Sequence, residues 1–292
     1  QGFLGNRILV NGRPDYNLPV ATRAYRFRIL NGSNSRIYNL AWEDGTPITV
    51  IGTDGGLLEK PVVRRSLLLA PGERIEVWAD FTDRPVGSEL ALMSYPFDAG
   101  SAAMGPGGQG AMTQGGLFEV MRIKIDRKER ESLVLPEKLT DIKRYDPNLA
   151  YNLLNPKTFR LNMNRMTWTI NGSTFRMQEV ANDEKVRMNS FEVWEFINEG
   201  GGMGMMGGMN MPHPMHLHGK QFQVIERQGV THDGYVDEGW KDTVLLMPGE
   251  RIRILVRFGD YPGLFLYHCH NLEHEDMGMM RNYLIEGSDA SV

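Results

Sequence analysis

Ala70-Pro71-Gly72-Glu73-Arg74, followed by Ile75-Glu76-Val77-Trp78, returns later in the chain as Met247-Pro248-Gly249-Glu250-Arg251, followed by Ile252-Arg253-Ile254-Leu255. Each copy is a Pro-Gly turn that opens onto a run suited to a strand. Two further echoes keep the same order. Val10-Asn11-Gly12 corresponds to Ile170-Asn171-Gly172, and the strand ending at Asn31 corresponds to residues 191–198. One coincidence between hairpin turns would mean little, but several in one order point to a duplicated unit. Around them, short apolar segments such as Tyr25-Arg26-Phe27-Arg28-Ile29-Leu30 alternate with Gly, Asn, Asp and Pro turns, and no long segment has a helical period. The expectation is an all-β chain of two tandem β-sandwiches, residues 1–125 and 158–287. A charged, Pro-containing linker over 126–157 joins them.

Composition narrows the function. The 292 residues suffice for two domains with real cores. A net charge of −4 favours neither nucleic acid nor an anionic membrane surface. No apolar run approaches the roughly 18 to 20 residues that cross a bilayer, and no stretch reads as a signal peptide. The chain begins at Gln1 rather than Met, which leaves open a mature product, a proteolytic piece or a recombinant truncation. A single cysteine, Cys269, excludes an internal disulfide.

Six of the seven histidines flank that cysteine in sequence motifs. They are His213-Pro214-Met215-His216-Leu217-His218-Gly219 and His268-Cys269-His270, followed by His274 and then Met279. A lone buried Cys is usually a small core residue, but this concentration of imidazoles around a thiol points to metal. A blue, type 1 copper site needs two imidazoles and a thiolate near one plane, with a weak axial thioether. Cys269, His274 and Met279 can supply three ligands from one strand-to-loop segment, and His213 the fourth from a neighbouring strand. His216 and His218 are two residues apart, as are His268 and His270, so along a strand each pair projects from one face. His268 and His270 then point away from the side that Cys269 faces. This places one copper on one side of the strand and further metal on the other, joined through the Cys269 backbone.

In this order and spacing, the two motifs resemble the C-terminal copper signatures of the multicopper oxidases, with bacterial laccases and cuprous oxidases nearest in pattern. The resemblance covers nearly the whole chain. Residues 1–125, with Gly52-Thr53-Asp54-Gly55-Gly56, look like the family's middle domain, and residues 158–287, with Trp240-Lys241-Asp242-Thr243, like its third. It implies two cupredoxin-like Greek-key sandwiches. It further implies type 1 ligands His213, Cys269, His274 and axial Met279, a type 2 copper on His216, and a type 3 pair on His218, His268 and His270. Reducing substrates, whether phenols, amines or Cu(I), would deliver electrons near an exposed histidine edge, expected at His274. Electrons would pass through Cys269 to a trinuclear site where dioxygen becomes water. Glu275 matches a family carboxylate implicated in proton delivery, and it reads equally well as a structural contact. Asp242 and Asp276 read as hydrogen-bonding scaffold. A periplasmic or secreted setting follows from the resemblance alone.

The pattern is incomplete in one respect. The first sandwich carries Leu90-Ala91-Leu92-Met93-Ser94-Tyr95-Pro96 where the second carries Leu264-Phe265-Leu266-Tyr267-His268-Cys269-His270, so it should hold no metal. The family's cluster takes eight histidines, four of them from two His-x-His motifs in an N-terminal domain. Here only His232 remains, in a Thr231-His232-Asp233-Gly234 turn. Trimers of the two-domain laccase kind do not supply the missing four, because residues 1–125 contain no histidine. The chain is therefore expected to hold a type 1 copper and half a trinuclear site, with an N-terminal cupredoxin domain as partner for full activity. Alternatives are a non-enzymatic copper-binding or electron-transfer protein and a copper nitrite reductase, although the latter carries its blue site in the first domain. Met203, Met205, Met206, Met209 and Met211 precede the first motif in a Gly-rich loop that reads either as a Cu(I) capture site or as a flexible linker. A second loop with Met104 and Met112 favours the linker reading.

Overall fold

The structure is a computed structural model, and it describes residues 2–100, 113–164, 167–200, 210–229, 232–259 and 261–287. Chain contacts divide it into two compact units, one of residues 3–142 with 232–239, the other of residues 1–2, 143–231 and 240–292.

The first unit starts with the hairpin β1 (Leu9–Val10) and β2 (Arg13–Pro14). Its strands are then β3 (Asn17–Ala21), β4 (Ala24–Leu30), β5 (Tyr38–Trp42), β6 (Ile48–Thr53), β7 (Gly56–Arg64), β8 (Leu67–Leu69), β9 (Arg74–Asp80), β10 (Glu89–Ser94) and β11 (Phe118–Arg127). They form two sheets, ordered β3-β11-β10-β5-β8 and β4-β9-β6-β7. The two sheets share one core, in which Leu40, Trp42, Leu67, Leu90 and Ile123 of the first meet Ile48, Val50, Leu58, Ile75 and Val77 of the second. Alternation of buried and open residues along β9 is the period-2 signature of a strand with one face inward.

The second unit contains β12 (Lys157–Asn164), β13 (Thr167–Ile170), β14 (Lys185–Arg187), β15 (Ser190–Asn198), β16 (His213–Leu217), β17 (Phe222–Gln228), β18 (Thr243–Leu246), β19 (Arg251–Phe258), β20 (Gly263–Cys269), the short helix α1 (Leu272–Asp276) and β21 (Met280–Glu286). Its sheets run β13-β12-β15-β19-β17 and β14-β21-β20-β16-β18. The second of these has the same connectivity as β3-β11-β10-β5-β8, with a parallel pair at one end in both units. Its two sheets meet through aromatic rings: Phe159 and Trp194 from one pack on Tyr267 and Tyr283 from the other, at 5.0–5.6 Å between ring centres.

The duplicated motif has a physical cause. Gly72 and Gly249 both adopt φ 82°, the left-handed region where a Cβ is costly. The N–H of Gly72 donates to Asn31 O at 3.0 Å, and that of Gly249 donates to Asn198 O at 2.8 Å. Asn31 Nδ2 donates to the carbonyls of Arg36 and Leu69, and Asn198 Nδ2 to those of Met211 and Leu246. The glutamates close each turn, since Ala70 N donates to Glu73 and Met247 N to Glu250, both at 2.8 Å. Asn11-Gly12 and Asn171-Gly172 also share positive φ at both positions, as a type I′ turn requires. Between β11 and β12 the chain holds only the 3-10 turn Pro147–Leu149. Among the described residues no helix is long and apolar enough to cross a membrane, which says nothing of a β-barrel.

Candidate metal centre

Strands β16 and β20 pair antiparallel, with Met215 opposite Cys269 and His216 opposite His268. Period-2 alternation therefore sends His213 and Cys269 to one face of the sheet and His216 and His268 to the other. Both groups of metal-competent side chains found among the described residues lie here: His213, Cys269 and His274, and His216, His218 and His268.

The loop after β20 builds the first group. Asn271 caps α1, its Oδ1 accepting from His274 N at 3.3 Å, which sets the direction of the His274 side chain. The chain then turns at Gly278, φ 99°, where an added Cβ would come within 3.1 Å of Thr174. Met279 N donates to His274 O at 2.9 Å, and Cys269 N donates to Met279 O at 3.0 Å. The five-residue spacing of Cys269, His274 and Met279 is thus one closed loop. The Cys269 sulfur lies 3.5 Å from His213 Nδ1 and 3.6 Å from His274 Nδ1, and the two nitrogens are 3.2 Å apart. Cys269 and Met279 are fully buried, and His213 and His274 are each 1% exposed.

These distances fit a shared ion. Metal–nitrogen bonds of about 2.0 Å and metal–sulfur bonds of about 2.3 Å, opened to roughly 105–120°, separate donor atoms by about 3.2–3.7 Å. Burial pushes His213 down to about 3, lowers His274 in the same sense and raises the Cys269 thiol. The imidazole lone pairs thus stay free for a metal at neutral pH, and a bound cation reverses the effect of burial on the thiol. Two imidazoles and a thiolate, with a buried methionine in the same loop, suit copper better than a hard cation.

In the second group, His216 Nδ1 lies 2.9 Å from the Asp242 carbonyl and 3.0 Å from Thr243 Oγ1. His268 Nδ1 lies 3.1 Å from Glu275 Oε2. Such partners fix the tautomer, leaving the Nε2 lone pair of each ring for a metal. His218 Nε2 is 3.0 Å from His268 Nε2. Partial desolvation of its inner edge, with the neighbouring rings of His216 and His268, lowers His218 to about 4 although the residue is exposed, and Glu275 is lowered by its hydrogen bond with His268. His270 stands beside this group, with its ring 5.5–5.6 Å from those of His268 and His216. A pocket of about 590 Å³ opens here, lined in part by His216, His218, Lys220, Trp240, Asp242 and Arg257.

Residues 151–289 match the family model described as multicopper oxidase. A laccase from Bacillus stratosphericus is 34% identical over 96% of this chain. The chain belongs to the multicopper oxidase family. A bilirubin oxidase from Albifimbria verrucaria is 33% identical over 95% of it. The crystal structure of the McoA multicopper oxidase from Aquifex aeolicus superposes with a TM-score of 0.82 at 35% identity, over 98% of this chain and 60% of that one. The fold is the all-β, cupredoxin-like pair of sandwiches. This multicopper oxidase chain spans about half the length of the curated relatives it matches, 54% of the laccase and 47% of the bilirubin oxidase. The family implies copper.

One expectation needs correction. His274 does not present an open edge; it is 1% exposed, and the indole of Trp168 packs over its ring, 4.2 Å between centres. His232 does lie in a turn, but it is half-buried and its Nδ1 accepts from Gly234 N at 2.9 Å. Sequence reasoning missed Trp168 and Asn271; the N-cap position of Asn271 two residues after Cys269 was the one available signal. Met203, Met205, Met206 and Met209, like Met104 and Met112, lie outside the described residues. Met211 is buried, with its carbonyl bound to Asn198.

Proposed function

We propose that this chain carries the electron-accepting half of a laccase-like or cuprous oxidase. In this reading residues 158–287 form the metal-bearing domain, 1–125 a metal-free one and 126–157 the connection. His213, Cys269, His274 and Met279 would hold a type 1 copper. His216 would serve a type 2 copper, and His218, His268 and His270 a type 3 pair. The observation that carries this reading is the back-to-back geometry: Cys269 belongs to one group and the preceding residue, His268, to the other. Bound copper would supply one-electron chemistry between Cu(II) and Cu(I).

The chain's own residues supply the rest. One peptide unit links Cys269 to His268 and another links it to His270, giving a short covalent route between the two sites. The buried imidazoles of His213 and His274 stay unprotonated at neutral pH. The Asp242 carbonyl orients His216, and Glu275 orients His268 and can exchange a proton at His268 Nδ1. The donors would be phenols, aromatic amines or Cu(I), and dioxygen the acceptor. Seven histidines in the whole chain leave the second cluster short of a full set. The remaining imidazoles would come from a further cupredoxin domain with two His-x-His motifs. A periplasmic or secreted setting belongs to the same proposal, tested by the gene sequence upstream of Gln1.

The exposure of His218 favours a second reading for the chain by itself, an electron-transfer protein without oxygen reduction. Copper content and oxygen consumption of the purified chain separate the two. The expected result is fewer than four coppers per chain and slow oxygen uptake. Close to four coppers with rapid uptake would remove the need for a partner domain.

A further inference from the structure

The two imidazoles of the Cys269 group share one wall. Trp168 lies against His274 with ring centres 4.2 Å apart and planes at 34°, and meets His213 edge-on at 4.9 Å and 74°. It sits on β13, the edge strand of its sheet, where it pairs with Met163. The indole is 2% exposed. His274 Nε2 is also buried and has no hydrogen-bond partner among the described residues. A ring nitrogen in that state would normally be met by water or a polar side chain.

We propose that Trp168 is a positioning residue of the metal centre: its indole fixes the planes of both imidazoles before a metal arrives and covers one face of the His274 ring. The proposal rests on the reading of this group as a copper site. An imidazole is broad and loosely defined about its outer torsion, so two buried rings need a neighbour that removes the alternatives. Trp168 touches both. Its apolar face also keeps the surroundings of the site at low dielectric, and such shielding tunes a metal's redox potential. A dry site disfavours the more highly charged Cu(II), so removing the indole lowers the potential.

The test uses the full chain with Trp168→Ala, Trp168→Leu and Trp168→Phe. In the metal-free protein, diethyl pyrocarbonate modification is mapped by mass spectrometry, with solvent-side His216 as internal reference. His274 modification should rise at least tenfold in Trp168→Ala relative to His216 and stay near wild type in Trp168→Phe. In the copper-loaded protein, Trp168→Ala should shift the visible band and lower the reduction potential, with Trp168→Phe close to wild type. If Trp168→Ala does not fold, Trp168→Leu is read in its place, since it keeps bulk but lacks a ring. Wild-type protection of His274 together with an unchanged potential, even with lowered thermal stability, would mean that Trp168 only fills the core and would overturn the proposal. Failure of the wild-type chain to take up copper would sink the copper reading, while the metal-free modification pattern would still decide whether Trp168 shields the ring.

Discussion

Cys269 is fully buried with two imidazole nitrogens within 3.6 Å of its sulfur. That burial sets a pH dependence for the metal-free chain. His213 is held down to about 3 in the folded protein by loss of solvent, against about 6.5 when unfolded. Between those values the unfolded chain binds a proton that the folded chain does not, so stability rises with pH there and is lost as pH falls from about 6.5 towards 3. His274 acts in the same direction. Urea unfolding of the metal-free chain should lose on the order of a few kcal/mol across this window from His213. His213→Gln should show a shallower fall, and equal slopes in the two proteins would contradict a neutral buried His213. That Cys269, His274 and Met279 belong to one segment was legible from their spacing, because one closed loop holds all three. Trp168 was not, because its ring meets His213 and His274 only through the β12–β13 pairing and the return of β16 and β20. The Glu275 contact with His268 was half legible: the carboxylate stood out, but its partner depends on the turn of α1 back over the strand.

At the scale of elements, each sandwich is tied by an asparagine that ends a strand and satisfies two carbonyls elsewhere. Asn198 holds the Met211 carbonyl, two residues before His213, and so fixes the entry to β16. Asn198→Ala leaves buried carbonyls without their donor, which costs about 1–3 kcal/mol. Asn31→Ala should cost a similar amount through the Arg36 and Leu69 carbonyls, without touching copper uptake. Denaturant unfolding with copper titration checks both; a loss below about 0.5 kcal/mol in each would show that the asparagines are not the ties described. The repeat that these residues mark was visible in the chain, and so were most strands, because apolar alternation and Pro-Gly turns are local signals. The sheet orders were not visible. The parallel pairs β3–β11 and β14–β21 join segments about a hundred residues apart, and nothing in either strand names its partner.

At the scale of the whole molecule, duplication without equivalence is the main feature. Both units share one sheet connectivity, yet among the described residues both metal-competent groups lie in the second. In the first, β10 ends at buried Ser94, whose hydroxyl accepts from Asn39 N at 3.1 Å instead of facing a ligand set. Residues 232–239, between β17 and β18, cluster with the first unit, where Gly234 O accepts from Leu68 N. That exchange was not legible, because the segment is polar and its turn carries no strand pattern. The central claim is that the thiol and two imidazoles of the second unit hold one copper. The visible absorption spectrum of the copper-loaded chain, compared with that of Cys269→Ser, tests it most directly. The account predicts an intense blue band in the wild type that disappears with the thiol; a colourless copper-loaded protein, or a band that survives the substitution, would contradict it.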